Sequence, residues 1–523
     1  MKYRQWVCLV LFFAMALHMN SATSFAAEKN SVSMQSLLTL GLEENLGLRA
    51  SRFTVSAAHA AIAIEEGAFD PEFFATTDYQ ETQSPYTSST LTLSRVEVSQ
   101  LSGSAGLRKQ FPSGLNTSLA LNSIRTEDNP TSEALNPRYQ TGLSLELTQP
   151  LLRNAGSATN LLALNLAKGK SQQEQYRFLQ QAQTLALDIE RGYFDLIRSR
   201  LTERLRKEAV QLTRELLEGN QRKLEAEIIP ITEVQEAETA LAERELEYVL
   251  VQQQREVQAH RLNGLLNNRL PLSLATPLPS FVEVTELILP ENAHFPDFLD
   301  ALKSAELNRP DLKISAINIK NSNLSETSAN NRVKPQLDLS LHLSTDGLAG
   351  SERPIKTSPY QGDWTESFSS MTSADGYQWR AGLNFSMPLG NRSFKAASRV
   401  AQHHSRQAKL SHRDLLNQVA TELREQRTQT QRLGQLVEIS SRFQELAELS
   451  FKQESRRLEE GLSDSFRVLT FQEKMIVARI SRVSALVEFN KSLTSLNYAM
   501  GNNLLRHGIV TDLSSKEIRF EEI

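Results

Sequence analysis

Leu143, Leu145 and Leu147 alternate with Ser144, Glu146 and Thr148 in the stretch from Tyr139 to Leu152, and Pro150 closes the alternation. A period of two gives a strand one apolar and one polar face. The pattern recurs from Tyr377 to Leu389, where Leu383, Phe385 and Met387 alternate with Asn384 and Ser386 before Pro388. After each stretch the apolar period becomes helical and stays so for tens of residues. The sequence therefore predicts, twice, a strand that feeds a very long helix.

The remaining elements fall around these two. Residues 33–67 read as a helix with Leu37, Leu38, Leu42 and Leu46 on one side, broken by Asp70-Pro71. An extended region follows from Phe73 to Leu147. Gly156 or Ser157 opens a proline-free helical pattern to Ala226, about 70 residues or roughly 105 Å as a helix. A break at Glu227–Pro230 leads to a second helix ending near Asn268, then a linker marked by Pro271, Pro277, Pro279 and Pro290. The order then repeats: a shorter helix over 298–330, a break at Pro335, and Leu337, Leu339, Leu341 and Leu343 alternating with Asp338, Ser340 and His342. A Gly/Ser/Pro-rich loop over 345–376, the strand to Met387, a helix over 393–460, a break at Gly461 and a last helix to Leu505 complete it. The tail, 506–523, is polar and reads as poorly fixed.

The two halves align on residues. Leu48 matches Leu312 and Pro71 matches Pro335, both at an offset of 264 (312 − 48; 335 − 71). Pro150 matches Pro388 at 238, and Val234 matches Val468 at 234. The drop of 26 (264 − 238) lies in the strand region, where the first half is longer. That extra length holds candidate strands of its own at Leu91–Val98 and Leu115–Asn122. They would either add a hairpin to a barrel or form an external loop, and both readings stay open on sequence.

The long helices carry seams. Val419, Leu423, Gln426, Thr430, Leu433, Val437 and Ser440 step by four and three, a heptad seam. Leu436, Ile439, Phe443, Leu446 and Ser450 make a second, displaced seam. A helix in the wall of a tube needs two seams, one for each neighbour. On the seams alone an ordinary coiled-coil bundle is the simpler reading; the strand pairs and the duplication reverse that preference.

Composition places the chain. Lys2 and Arg4 precede an apolar run from Val7 to Leu17, and Ser24 and Ala26 stand at the −3 and −1 places of a cleavage site. Residues 1–26 read as a secretory signal peptide, since the run is too short to span a bilayer. The only cysteine, Cys8, leaves with it, so the mature chain would have no disulfide and no cysteine metal site. Removing that segment takes the net charge from −4 to −6 with the loss of Lys2 and Arg4, so nucleic acid is not an implied partner. No later run of apolar residues is long enough for a spanning helix, which leaves a β-barrel as the route into a membrane.

A core pair of strands from each half makes four per chain. Four strands with lipid-facing Leu143, Leu145, Leu147, Leu337, Leu339, Leu341, Leu383 and Phe385 cannot close alone, because their edges would leave unpaired backbone groups in hydrocarbon. Three copies would give twelve strands, or more if the extra hairpin joins. Tyr139, Tyr377 and Trp379 at strand starts suit an aromatic girdle.

Across almost the whole mature length the chain resembles the TolC-like outer-membrane efflux proteins. The residues that carry the resemblance are Arg309-Pro310-Asp311-Leu312 before the second strand pair, and Gln149-Pro150-Leu151-Leu152 and Met387-Pro388-Leu389 after the strands. Two helix-turn-helix signatures add to them, Ile228 to Ala237 and Gly461-Leu462 with Val468-Leu469. The resemblance implies a mixed α/β membrane protein: an internally duplicated chain, a long α-helical barrel, and a short transmembrane β-barrel completed by a homotrimer. The first repeat would cover 27–292, with strands in 71–150 and a tip turn at 227–233; the second would cover 293–505, with strands in 335–388 and a tip turn at 461–467. It also implies an exit duct in the outer membrane of a Gram-negative cell, its helices in the periplasm, docked to a periplasmic adaptor and an inner-membrane pump. Small toxic molecules, metal ions and secreted polypeptides all leave through such ducts, by efflux or by type I secretion.

The residues singled out for function are at the tips: Glu227, Glu233, Glu236, Gly461, Leu462, Asp464, Arg467 and Thr470. In the family these turns close the periplasmic end and meet the adaptor. The turn glycine is Gly461 in the second half but Glu227 in the first. The constriction acid of the family corresponds to Glu233, whereas the matching place in the second half is Arg467, and the often acidic place beyond it is Thr470. This charge swap predicts Arg467 paired with Glu233 or Glu236 and a tip held closed partly by such pairs; solvated helix-end charges are the plainer reading. No catalytic constellation or cofactor motif occurs, and His403, His404 and His412 read as a solvated polar surface rather than a metal site. Two other classes compete: a periplasmic coiled-coil adaptor or scaffold, which would lack barrel strands, and a secreted enzyme with a helical insertion, for which no nucleophile is visible.

Overall fold

The computed structural model describes residues 34–85, 95–129, 134–266, 287–292, 295–352, 358–373, 375–512 and 519–522. The expected signal peptide and the linker prolines 271, 277 and 279 lie outside them. The chain opens with helices α1 (Met34–Glu44) and α2 (Leu46–Glu66), followed by strands β1 (Glu72–Pro85), β2 (Arg95–Gln110), β3 (Asn116–Asp128) and β4 (Leu135–Pro150). Helix α3 (Leu162–Glu225) and helix α4 (Ile231–Leu266) form the first long hairpin. The second half runs through α5 (Phe298–Asn308), α6 (Pro310–Arg332), β5 (Gln336–Glu352), α7 (Trp364–Thr372) and β6 (Gly376–Ser386). Helices α8 (Arg392–Glu459) and α9 (Ser465–Ala499) form the second hairpin, and β7 (Ile509–Asp512) pairs with β8 (Arg519–Glu522). Among the described residues no helix is long and apolar enough to cross a membrane.

The strands make one six-stranded sheet in chain order, β1-β2-β3-β4-β5-β6, with every neighbour antiparallel. Its two faces differ. One register row runs Phe73, Leu107, Leu119, Leu145, Leu343, Trp379 across all six strands. The adjacent row, whose side chains point to the other face, runs Glu72, Arg108, Ser118, Glu146, His342, Arg380. The expected lipid-facing residues Leu143, Leu145, Leu147, Leu337, Leu339, Leu341, Leu383 and Phe385 all lie on the apolar face, as their register shows.

Below the sheet the helices keep the same order. Helix α2 leads into β1, α3 follows β4, α6 leads into β5 and α8 follows β6. Around the wall α2 packs on α3, α3 on α6 and α6 on α8; farther down, the order is α4, α3, α9, α8. The middle is the best packed region. Leu38, Leu42, Phe178, Ile189, Tyr193, Leu196 and Leu262 form one core, and Leu312, Val419, Leu423 and Leu496 a second.

The motif Arg309-Pro310-Asp311-Leu312 clamps this middle. Pro310 is at the first helical position of α6, where it has no amide hydrogen to leave unsatisfied. The Arg309 guanidinium meets Asp311 at 2.8 Å and Glu422 of α8 at 2.7 Å, and donates to the Ala499 carbonyl at the end of α9. Burial works to lower the affinity of Arg309 for its proton; the two carboxylates outweigh it and raise that affinity above the ordinary value.

Four expectations need correction. The first helix is two, because Asn45 ends α1 and caps α2 by accepting from the Leu48 amide at 3.1 Å. The helix over 298–330 is also two, split where Arg309 takes an extended conformation before its proline. The region 345–376 holds the end of β5 and helix α7, whose start is fixed by a capping box of Asp363 and Glu366. The tail is not loose throughout, since β8 brings Phe520 into stacking contact with Phe178, at 5.8 Å between ring centroids. The hairpin left open by the sequence joins the sheet: β2 and β3 lie between β1 and β4, so each chain has six strands in it.

Candidate functional site at the hairpin tips

Both long hairpins turn in the same way. In the first, Glu227 has φ 56°, and the Ile228 amide bonds back to the Lys223 carbonyl at 2.9 Å. In the second, Gly461 has φ 71°, and the Leu462 amide bonds back to the Arg457 carbonyl at 2.7 Å. Each helix thus ends through a left-handed residue that satisfies its last carbonyls. Glycine enters that conformation freely; a glutamate pays for it in steric strain.

The returning helices start differently. Pro230 precedes α4, while Asp464 caps α9 by accepting from the Arg467 amide at 2.8 Å. The side chain of Arg467 extends back along its own hairpin to Glu454 on α8, at 3.3 Å. Glu454 is almost fully buried and also accepts from Ser463. Arg467 therefore does not pair with Glu233 or Glu236 as the charge swap predicts. Glu233 is held instead by Ser465, whose hydroxyl donates to it at 2.7 Å.

Ser465 belongs to a buried polar seam between α3 and α9. Asn220 donates to Ser465 Oγ at 2.8 Å, and Thr213 and Gln472 bond one another at 3.1 Å. One step further, Arg206 and Arg244 share Glu247 and Glu473: Arg206 lies 2.8 Å from Glu247, and Arg244 lies 3.0 Å from Glu473. Farther up, Arg479 bridges Glu208 and Glu448, each at 2.7 Å. Burial works to raise the Glu448 carboxyl, but the Arg479 guanidinium hydrogen-bonded to it holds it below the usual carboxylate range. The three α3 residues, Arg206, Thr213 and Asn220, are seven apart, as are Ser465, Gln472 and Arg479 on α9. That polar heptad was the available sequence signal for the lock, and apolar seams alone do not reveal it.

Of the remaining expected residues, Glu236 and Thr470 are exposed and line an open groove between α4 and α9, together with Thr232 and Phe466. Leu462 and Phe466 stand out from the second tip and Ile228 and Ile231 from the first, all exposed. Leu462 is among the residues singled out from sequence; Phe466, Ile228 and Ile231 are not. The apolar base of the first tip is Leu217, Val234 and Ala237. No group of three or more potential metal ligands occurs among the described residues.

The two seams of α8 separate cleanly. Val419, Leu423, Thr430, Val437 and Ser440 are buried within the chain. Leu436, Ile439, Phe443 and Leu446 are exposed, Ile439 at 65%. On the opposite flank, α4 exposes Leu246, Val249 and Leu250.

No protein-family profile matches the sequence, and no curated protein is detectably similar to it. Solved structures are similar in fold. The outer-membrane channel OprN superposes with a TM-score of 0.63 at 17% identity, covering 90% of this chain and 89% of its own. The CmeC outer-membrane channel of Campylobacter jejuni gives 0.60 at 14% identity, over 90% and 86%. The outer-membrane protein VceC of Vibrio cholerae gives 0.59 at 13%, over 90% and 96%. The chain thus has the fold of the outer-membrane channels that its duplicated motifs resemble.

Proposed function

We propose that this chain is one third of a passive exit duct. Three copies form a β-barrel in the outer membrane, continued by a helical tube that crosses the periplasm and narrows at the tips. The observation that carries this reading is that the chain is open on the same two flanks at every level. In the sheet the free edges are β1 and β6. In the upper helices they are α2, with exposed Phe53 and Ile64, and α8, with exposed Val400 and Leu410. In the lower helices they are α4 and the second seam of α8. Two flanks left open at every level, as strand edges in the sheet and as exposed apolar side chains on the helices, are closed by identical copies in a ring. The strand face gives the ring its lipid contact and the polar face its wet bore.

The tips would dock a periplasmic adaptor, and through it an inner-membrane pump, using Leu462, Phe466, Thr470 and Glu236. The closed tip rests on two devices, the Ser465–Glu233–Asn220 lock and the Arg467–Glu454 pair. The chain performs no chemistry; transport follows the gradient or the stroke of its pump.

Fractionation of the cell envelope, with unheated gel electrophoresis in detergent, tests this. An outer-membrane band that runs as a trimer and collapses to a monomer on boiling is expected. A soluble periplasmic monomer or dimer would overturn the duct and favour the scaffold.

A further inference from the structure

We infer that the barrel has eighteen strands, six from each of three copies, with β6 of one copy paired to β1 of the next. This rests on the trimeric duct reading and goes beyond it, because the core strand pairs alone would give twelve.

The hairpin β2–β3 is built as wall. The apolar row Phe73, Leu107, Leu119, Leu145, Leu343, Trp379 and the polar row beside it both pass through β2 and β3 without a break. An external loop would have no reason to keep lipid and water faces in step with the wall. The β2–β3 turn also reaches the helical end of the sheet. There the Gly156 amide donates to the Ser113 carbonyl at 3.1 Å, and a Cβ on Gly114 would fall 2.9 Å from the Asn154 carbonyl oxygen. The far half of the hairpin is clamped too. Helix α7 lies on the apolar face above the leucine rows, where Trp364 Nε1 donates to Ser123 of β3 at 2.6 Å and Thr141 of β4 bonds Ser367 at 2.8 Å.

The stagger gives the closing register. On β1 the apolar stretch rises from Phe73 to Tyr79, whereas on β6 it falls from Tyr377 to Phe385, with Trp379 in the row of Phe73. The stretch slides by about one residue per strand, which corresponds to a strand tilt of about 35°. Continuing the slide across the copy boundary sets Phe73 beside Phe385, Thr77 beside Ala381 and Tyr79 beside Trp379 of the neighbouring copy. Strands β1 and β6 run in opposite directions, so this pairing is antiparallel like the other five.

Circumference agrees. A strand tilted by about 35° occupies about 5.9 Å of the rim, so six occupy about 35 Å and four about 23 Å. The four helices beneath occupy about 32–40 Å at normal packing distances. Six strands match the helical ring they stand on, and four fall short. Barrel diameter grows with strand number, so the outer mouth is about half again as wide as a twelve-stranded one.

Paired cysteines in the full-length protein test the closing edge, since Cys8 is the only native cysteine. Ala381→Cys is combined in turn with Ala75→Cys, Thr77→Cys or Tyr79→Cys on β1, and with Leu121→Cys on β3, and treated with a short thiol cross-linker. Only variants that form the unheated trimer band are scored. The inference expects boiling-resistant dimers and trimers from a β1 pair, strongest with Thr77→Cys, and none from the β3 pair. Cross-linking through β3 alone, or failure at all three β1 positions, overturns it. The count itself is read with single cysteines and a water-soluble maleimide, because β6 would meet β1 of the next copy whether or not the β2–β3 hairpin joins the wall. Leu107→Cys and Leu119→Cys should resist labelling, while Arg108→Cys and Ser118→Cys should label. Labelling of all four would put the hairpin outside the wall and overturn the count. A trimer that cross-links only through β3 leaves the duct intact; absence of any outer-membrane trimer removes both.

Discussion

The two tip turns share a backbone and differ in how it is held. The second turn uses a glycine for its left-handed residue, an aspartate cap and an arginine brace, Arg467 to Glu454. The first uses a glutamate in the same strained conformation and a proline entry, with Glu233 tied to the other hairpin through Ser465. The second tip is therefore self-sufficient, whereas the first depends on its neighbour. Duplication preserved the turn and let the supporting contacts divide, so that one hairpin is the post and the other the leaf that rests on it.

The comparison can be broken most sharply at the contact between the tips. Asn220→Ala removes the buried amide that joins Ser465 to α3, and should cost about 2 kcal/mol in denaturant unfolding. It should also raise single-channel conductance in bilayers, because the first tip loses its support. Gly461→Ala should cost about 1–2 kcal/mol through left-handed strain, while Glu227→Ala, which already has a Cβ there, should cost almost nothing; thermal collapse of the trimer band compares them. Arg467→Ala should cost about 0.5–1 kcal/mol, since the brace is half exposed, and should raise conductance less than Asn220→Ala. An unchanged conductance would remove the arginine from the gate. Glu227→Gly should stabilise by about 0.5 kcal/mol by relieving the strain, and make the two tips alike.

The smallest effect is in pH. Glu448 titrates below its ordinary value in the folded chain, so its contribution is fully present above the unfolded value. It is lost as pH falls through the lower folded value. Replacing Arg479 by glutamine should flatten stability on that acid side only, as read from melting across a pH series.

Much of this was legible beforehand. Strands β4 and β6 were readable because leucine alternates with small polar residues and a proline stops each. The two seams of α8 were readable because each keeps its own heptad step, and the chain buries one and leaves the other bare. The strands β2 and β3 were harder. On β2, Gly103 and Ala105 thin the apolar face, and Ser102, Ser104 and Gly106 on the other face are small too, which leaves little alternation to read. Their place depends on pairing across the sheet, which one strand does not encode. The breaks at Asn45 and Arg309 depend on caps whose partners are nearby only once the chain is folded. At the tips, the turn residues and Arg467 were found, but not Glu454, because the direction in which an arginine reaches is set by the helix start beside it.

The polar seam between α3 and α9 has a mechanical consequence. Its rungs recur every seven residues on both helices, so after any axial slip the polar partners meet again only at about 10.5 Å. A slip of one turn would set Asn220 and Gln472 against apolar side chains and leave them unsatisfied. The two helices are keyed lengthwise, like a rack seated in matching teeth, and their axial register is fixed by the polar partners. An aperture lined by hairpins keyed in this way would keep its length while its bore changed.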